Sequence, residues 1–135
     1  MEELAQSIAK LSKEGIKTII VSSGAVGLGM GKLILKDRPK DLPLSRACAS
    51  VGQCLLMNAW SNSLEKYGLI ASQVLLTRQD FENKKRAQKV EETLSTLIDR
   101  QIIPIVNEND SVSDEEIKFG DNDVLSALLA SMVNA

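Results

Sequence analysis

Ile19-Ile20-Val21-Ser22-Ser23-Gly24-Ala25-Val26-Gly27-Leu28-Gly29-Met30-Gly31 joins an apolar run to two serines and four glycines. A short β-branched run of this kind reads as a buried strand, here Lys17 to Val21. The small residues that follow make a strand-to-helix turn. Glycine in such a turn either takes a positive φ or lets backbone approach a ligand closely. Two phosphate-binding patterns are excluded by spacing. A P-loop needs four residues before Gly-Lys and then Ser or Thr, whereas Gly27 to Gly31-Lys32 leaves three and Leu33 follows. The dinucleotide pattern G-x-G-x-x-G is not met either, because the glycines stand at 27, 29 and 31. The plain structural reading is a helix capped by Ser22 or Ser23, with the glycines easing packing.

Outward from this turn, strand and helix alternate. Leu4, Ala5, Ile8, Ala9 and Leu11 form a helical stripe in Glu2 to Leu11, with Gly15 suited to end that helix. After the glycines comes a polar loop, Lys36 to Asp41, and then a long helix from Leu44 to Tyr67, stopped by Gly68. Its expected inward set is Ala47, Cys48, Val51, Cys54, Leu55, Met57 and Trp60. Leu69 to Leu76 reads as a second strand, Phe81 to Arg100 as a helix with Ala87, Val90, Leu94, Leu97 and Ile98 inward, and Ile102 to Val106 as a third strand. Val112 to Phe119 reads as extended, and Val124 to Val133 as a last apolar helix. The alternation implies βαβ units, a mainly parallel sheet and helices on both faces.

Composition narrows the chemistry. The chain has 135 residues with 44% hydrophobic and 25% charged content, an ordinary single-domain balance. Its net charge of -2 gives no pull toward nucleic acid or an anionic membrane. Aromatic residues are only 3%, which argues against base-stacking platforms. No apolar run approaches bilayer length, and the acidic start Met1-Glu2-Glu3 is unlike a signal peptide, so the cytoplasm is the expected compartment. Cys48 and Cys54 on one helix would stand about 9 Å apart, too far for a disulfide, and read as buried thiols. Histidine is absent, which removes Ser-His and Cys-His catalysis, H-E-x-x-H zinc sites and any imidazole base. Catalysis must rest on carboxylates, lysines, amides, hydroxyls and backbone N–H groups.

In open α/β sheets, ligands bind at the carboxyl ends of the strands. Two such ends are chemically unusual. One is the Ser-Gly turn; the other is Asn107-Glu108-Asn109-Asp110, after Val106. Both are expected on the same edge of the sheet. Lys118, Asp121, Asn122 and Asp123 follow within one excursion that lacks the EF-hand pattern. Asn122 and Asp123 would cap the last helix in the plain reading. In the functional reading, amides and carboxylates here grip the ammonium of an amino acid, while Ser23 and helix N-termini hold its carboxylate.

The blocks Val21-Ser22-Ser23-Gly24-Ala25, Val51-Gly52-Gln53, Leu75-Leu76-Thr77-Arg78, Pro104 to Asp110, Lys118, and Gly120-Asp121-Asn122-Asp123 with Leu125-Ser126-Ala127 stand in order along nearly the whole chain. Together they resemble the glutamate 5-kinase family, the γ-glutamyl kinases of proline synthesis in the amino acid kinase superfamily. The resemblance implies a three-layer αβα sandwich and transfer of the ATP γ-phosphoryl group to the glutamate side-chain carboxylate. By matching position it implies that Ser23, Gly24 and Ala25 line the glutamate site. Asn107, Asp110 and Asn122 would hold the substrate's α-amino and carboxylate groups. Asp123 would orient polar groups near the reacting centre, and Lys118 with its loop would close over glutamate and sense proline as a feedback inhibitor. A carboxylate nucleophile is already ionised at neutral pH, so the reaction needs positioning and charge neutralisation rather than a histidine base.

The family pattern also includes an earlier strand with a lysine-bearing turn and a later half that binds ATP and Mg²⁺. Neither is matched here, so residues 1–135 are expected to be the glutamate-binding N-terminal half of an incomplete domain, inactive alone. An unpaired sheet edge and open apolar surface then favour a homo-oligomer. Two alternatives stand beside this reading: a non-catalytic module that binds glutamate or proline as a sensor, and the kinase part of a bifunctional pyrroline-5-carboxylate synthase, which the same blocks do not separate from a glutamate 5-kinase. An acetylglutamate kinase or an aspartokinase fits less well, because the NEND and GDND blocks favour the γ-glutamyl kinases.

Overall fold

The computed structural model describes residues 1–112 and 122–135. Lys118, and most of the extended run read at Val112 to Phe119, lie outside the described residues. The elements are α1 (Glu2–Lys13), β1 (Ile20–Val21), α2 (Ala25–Lys32), α3 (Leu42–Glu65), β2 (Ile70–Leu76), α4 (Gln79–Glu82), α5 (Lys84–Asp99), β3 (Ile102–Glu108) and α6 (Asn122–Val133). The strands form one parallel sheet in the order β1-β3-β2. β2 pairs with β3 over its whole length, from Ile70 opposite Ile102 to Leu76 opposite Glu108.

Side chains alternate across β3 and so divide the core between two faces. Ile103 and Ile105 pack with Ala5 and Ile8 of α1, Ala25 of α2 and Leu56, Trp60 and Leu64 of α3. Val106 packs on the opposite side with Leu94 of α5 and Leu125 and Leu129 of α6. Helices therefore cover both faces of a parallel sheet, which is the three-layer αβα arrangement. Burying a leucine such as Leu64 or Leu94 completely contributes about 2 kcal/mol.

Four details differ from the sequence reading. The first strand is two residues long rather than five. Val106 O accepts from Ser22 N at 2.8 Å, so Val106 turns its backbone toward β1. By alternation Pro104 does too, and proline has no N–H to offer. Pairing with β1 therefore begins only at Ile20, opposite Ile105. The helix expected over Phe81 to Arg100 is two helices. Asn83 is extended (φ -92, ψ 111), and its side chain accepts from Lys85 N and Arg86 N, ending α4 and capping α5. Cys54 is exposed, and Cys48 alone is buried. Six residues is 600° around a helix, which puts the two thiols on different faces. The buried stripe of α3 is Ala49, Gln53, Leu56, Trp60 and Leu64, with Cys48 and Gly52 beside it.

The fourth concerns the glycine-rich turn. Neither serine caps α2: the N-cap is Gly24, at φ 100, and no side chain bonds the cap. That φ is left-handed and costs a side-chain-bearing residue about 1 kcal/mol or more. Further along, α2 and α3 cross in direct backbone contact. A Cβ on Gly29 would run into the carbonyl of Cys48, and one on Gly52 into the carbonyl of Ala25. Gly27 and Gly31 face open space. The run is thus one turn glycine, one crossing glycine and two that packing does not require.

Candidate functional site

The carboxyl ends of β1 and β3 open into a cavity of about 430 Å³. Ser23, Gly24, Ala25, Asn107, Asp110 and Asn122 all line it. These are the six residues expected to bind substrate, brought from three segments to one place. Asp123 stands beside them on the first turn of α6, exposed and outside the lining.

Two adjacent serines do different things. Every polar atom of Ser22 is committed. Its N–H donates to Val106 O, its hydroxyl accepts from Trp60 Nε1 at 3.0 Å, and its carbonyl accepts from Asn122 Nδ2 at 3.0 Å. Ser22 and Trp60 are both buried. Ser22 is therefore an anchor, and Ser23, not Ser22, lines the cavity. Next to it, Leu28 N makes the first intrahelical bond of α2, to Gly24 O at 3.0 Å. The N–H groups of Ala25, Val26 and Gly27 precede that bond, and all three residues line the cavity. A helix start of this kind favours an anion such as a carboxylate.

Across the cavity, Asn107 is 3% exposed at the end of β3. Its Oδ1 accepts from Glu108 N at 2.9 Å, and its Nδ2 donates to Gln53 Oε1 at 3.0 Å. Gln53, also buried, donates in turn to Gln73 Oε1 at 3.2 Å. Asn109 N extends the β2 pairing by donating to Leu76 O, and Ser111 Oγ lies 3.0 Å from Ser50 Oγ on α3. Asp110 is thus carried on a loop tied to both β2 and α3.

The sequence reading assigns no role to Arg38 or Met30, which line the same cavity; Glu108, in the polar run after Val106, lines it as well. Arg38 lies in the charged loop between α2 and α3, where nothing in the sequence separates it from Lys36 or Lys40. Gln53 had no assigned role, yet a signal for it exists. It lies four residues after Ala49 and three before Leu56, a polar residue in the buried stripe of a helix.

A second polar knot lies away from the cavity. Burial pulls the Asp80 carboxyl upward. The Thr77 backbone N–H and hydroxyl and the Arg86 guanidinium outweigh that and hold it below its ordinary value. The bonds are 2.7 Å, 2.8 Å and 2.7 Å respectively. This knot braces the β2–α4–α5 connection.

The model of the amino acid kinase family matches residues 1–135. The chain belongs to the amino acid kinase family. Several curated glutamate 5-kinases are similar to this chain. That of Clostridium acetobutylicum is 53% identical over 135 residues, covering all of this chain and 51% of the relative. Those of Caldanaerobacter subterraneus and Thermus thermophilus are 50% and 48% identical over the same span, each covered over 36% of its length. The chain thus spans between a third and a half of the length of these curated relatives. Among the described residues, no helix is long and apolar enough to cross a membrane.

Proposed function

We propose that this chain carries the acceptor site of a glutamate 5-kinase and binds L-glutamate in the cavity between the Ser-Gly turn and the Asn107–Asp110 loop. The supporting observation is that Ser23, Gly24, Ala25, Asn107, Asp110 and Asn122 line one cavity of about 430 Å³ at the carboxyl ends of the strands. Its size suits a small ligand. Its chemistry suits an amino acid: carboxylates and amide oxygens for the ammonium, and the start of α2, the Ser23 hydroxyl and Arg38 for the carboxylates. About half-identical glutamate 5-kinases support the same choice.

In the reaction so assigned, one oxygen of the glutamate γ-carboxylate attacks the γ-phosphorus of ATP, and the bond to the ADP oxygen breaks. An acyl phosphate and ADP result. The nucleophile needs no deprotonation, so these side chains bind and orient. Asp123, beside the cavity, and Lys118 are assigned to the reacting centre. ATP and Mg²⁺ are assigned to the portion of the relatives that this chain does not align with. No group of three or more candidate metal-ligating side chains comes together among the described residues. Proline offers the same ammonium and α-carboxylate, and is assigned as a competitor for the cavity. Exposed Leu28, Leu33, Ile34 and Leu44 support self-association through the α2–α3 region.

Calorimetric titration of L-glutamate into the chain tests this reading. Saturable binding is expected, roughly tenfold weaker in Ser23→Ala, which loses one hydrogen bond and little else. Absence of saturable heat, or equal affinity in the two proteins, would remove the assignment.

A further inference from the structure

Three amides form a line from the surface to the cavity: Gln73 on β2, Gln53 on α3 and Asn107 on β3. We infer that Gln53 is a positioning residue, which accepts from Asn107 Nδ2 and so anchors the side-chain amide of Asn107 in the orientation that the Glu108 N–H selects, and with it the hydrogen-bonding face that Asn107 offers to the ligand. The inference rests on the assignment of the cavity as an amino-acid site.

The polarity of the line is set at one end. The backbone N–H of Glu108 can only donate, so the group facing it must be Asn107 Oδ1. Nδ2 then points the other way and requires an acceptor. Gln53 Oε1 supplies it at 3.0 Å, inside a site where Asn107 is 3% and Gln53 8% exposed. The opposite end of the Gln53 amide, Nε2, consequently meets Gln73 Oε1. Gln73 is exposed, so its amide is free to turn or be replaced by water. The essential contribution of Gln53 is one buried acceptor aimed at Asn107. With it, Asn107 keeps one N–H and one oxygen lone pair for the cavity in a fixed geometry. Without it, the amide must reorder when ligand binds, and binding weakens accordingly.

Gly52 explains how an α3 side chain comes to this spot. Its lack of a Cβ brings α3 against the carbonyl of Ala25, and the next residue, Gln53, lies within hydrogen-bond reach of Asn107. A glutamine on a helix packed less closely would leave Asn107 unpartnered or admit water.

The test uses the whole chain in four forms: wild type, Gln53→Met, Gln53→Glu and Gln73→Ala. Two readouts are taken below the unfolding range of each: the affinity for L-glutamate, and the hydrogen exchange of the Asn107 side-chain amide by NMR. In Gln53→Met, affinity falls roughly tenfold and the Asn107 amide proton loses its protection. In Gln53→Glu, which keeps an acceptor in either protonation state, the amide stays protected. In Gln73→Ala both readouts stay within about twofold of wild type, since the exposed end of the line is replaced by water. A Gln53→Met protein that is less stable but shows an unchanged Asn107 amide and unchanged affinity has lost only packing, and overturns the inference. Loss of amide protection in Gln53→Glu overturns it as well, and this arm holds even where Gln53→Met does not fold. If wild type fails to bind L-glutamate, the functional assignment falls. The amide readout then decides the positioning role alone, supported by loss confined to Gln53→Met and overturned by its absence.

Discussion

Asn122 donates its Nδ2 to the backbone carbonyl of Ser22 at 3.0 Å, across 100 positions of sequence. The bond ties the start of α6 to the end of β1, on the rim of the cavity. Removing it in Asn122→Ala should lower stability by about 1 kcal/mol. Asn122→Asp should cost more, because a carboxylate would then face a carbonyl oxygen. Urea unfolding followed by the fluorescence of Trp60, the sole tryptophan, measures both. Equal stability of all three proteins would mean that the bond contributes nothing.

The α2–α3 crossing should tolerate no side chain at its contact points. Gly29→Ala and Gly52→Ala each force backbone against a new methyl, and should destabilise by roughly 1–3 kcal/mol or more. Gly31→Ala meets nothing within 4 Å and should instead stabilise α2, by about 0.5–1 kcal/mol. Thermal melts of the three variants give the contrast directly, and a uniform response would contradict the packing assigned to the crossing.

Trp60 and Ser22 should be coupled. Trp60→Phe leaves the buried Ser22 hydroxyl without its donor, and Ser22→Ala leaves the indole N–H without its acceptor. Each should cost about 1–3 kcal/mol. The double variant should cost less than the sum, since no polar group is then stranded. Strict additivity in denaturant unfolding would show that the 3.0 Å bond carries no net energy.

Asp80 should shape the acid limb of stability. Its carboxyl titrates lower in the folded chain than an ordinary aspartate does. The stabilisation is therefore complete above about pH 4 and is lost as pH falls through the depressed folded value. Asp80→Asn should be less stable than wild type at neutral pH, and the gap should close as pH drops below about 4. A gap that stays constant from pH 7 to pH 2.5 would contradict the ionised Thr77–Asp80–Arg86 knot.

The layered fold was legible because its apolar runs and stripes carry distinct periods: β-branched runs at 19–21 and 102–106, and helical stripes in α1, α5 and α6. The cavity was legible to the extent that its residues fall at the carboxyl ends of those strands. What stayed hidden depends on partners distant in sequence. Whether Ser22 or Ser23 lines the cavity is decided by Trp60 and Asn122, not by either serine. Gly29 is required by Cys48, and Asn107 finds its side-chain acceptor in Gln53. Arg38 reaches the cavity only because the loop after α2 lies where the helix crossing puts it. The break at Asn83 was the exception, a local capping signal within reach of sequence alone.

Pro104 leaves the seam between β1 and β3 with two register pairs, where β2 and β3 share seven. From Ile70 to Glu108 the chain is one contiguous βαβ unit, with seven rungs of register and short connections. Such a unit can assemble early, since little loop entropy opposes it. β1 must join from more than 80 residues away with only Ile20 and Val21 in register. Ser23 to Gly27, one side of the cavity, follow directly from that two-pair seam. A ligand seated there would bind only the closed seam and, by mass action, would hold it closed.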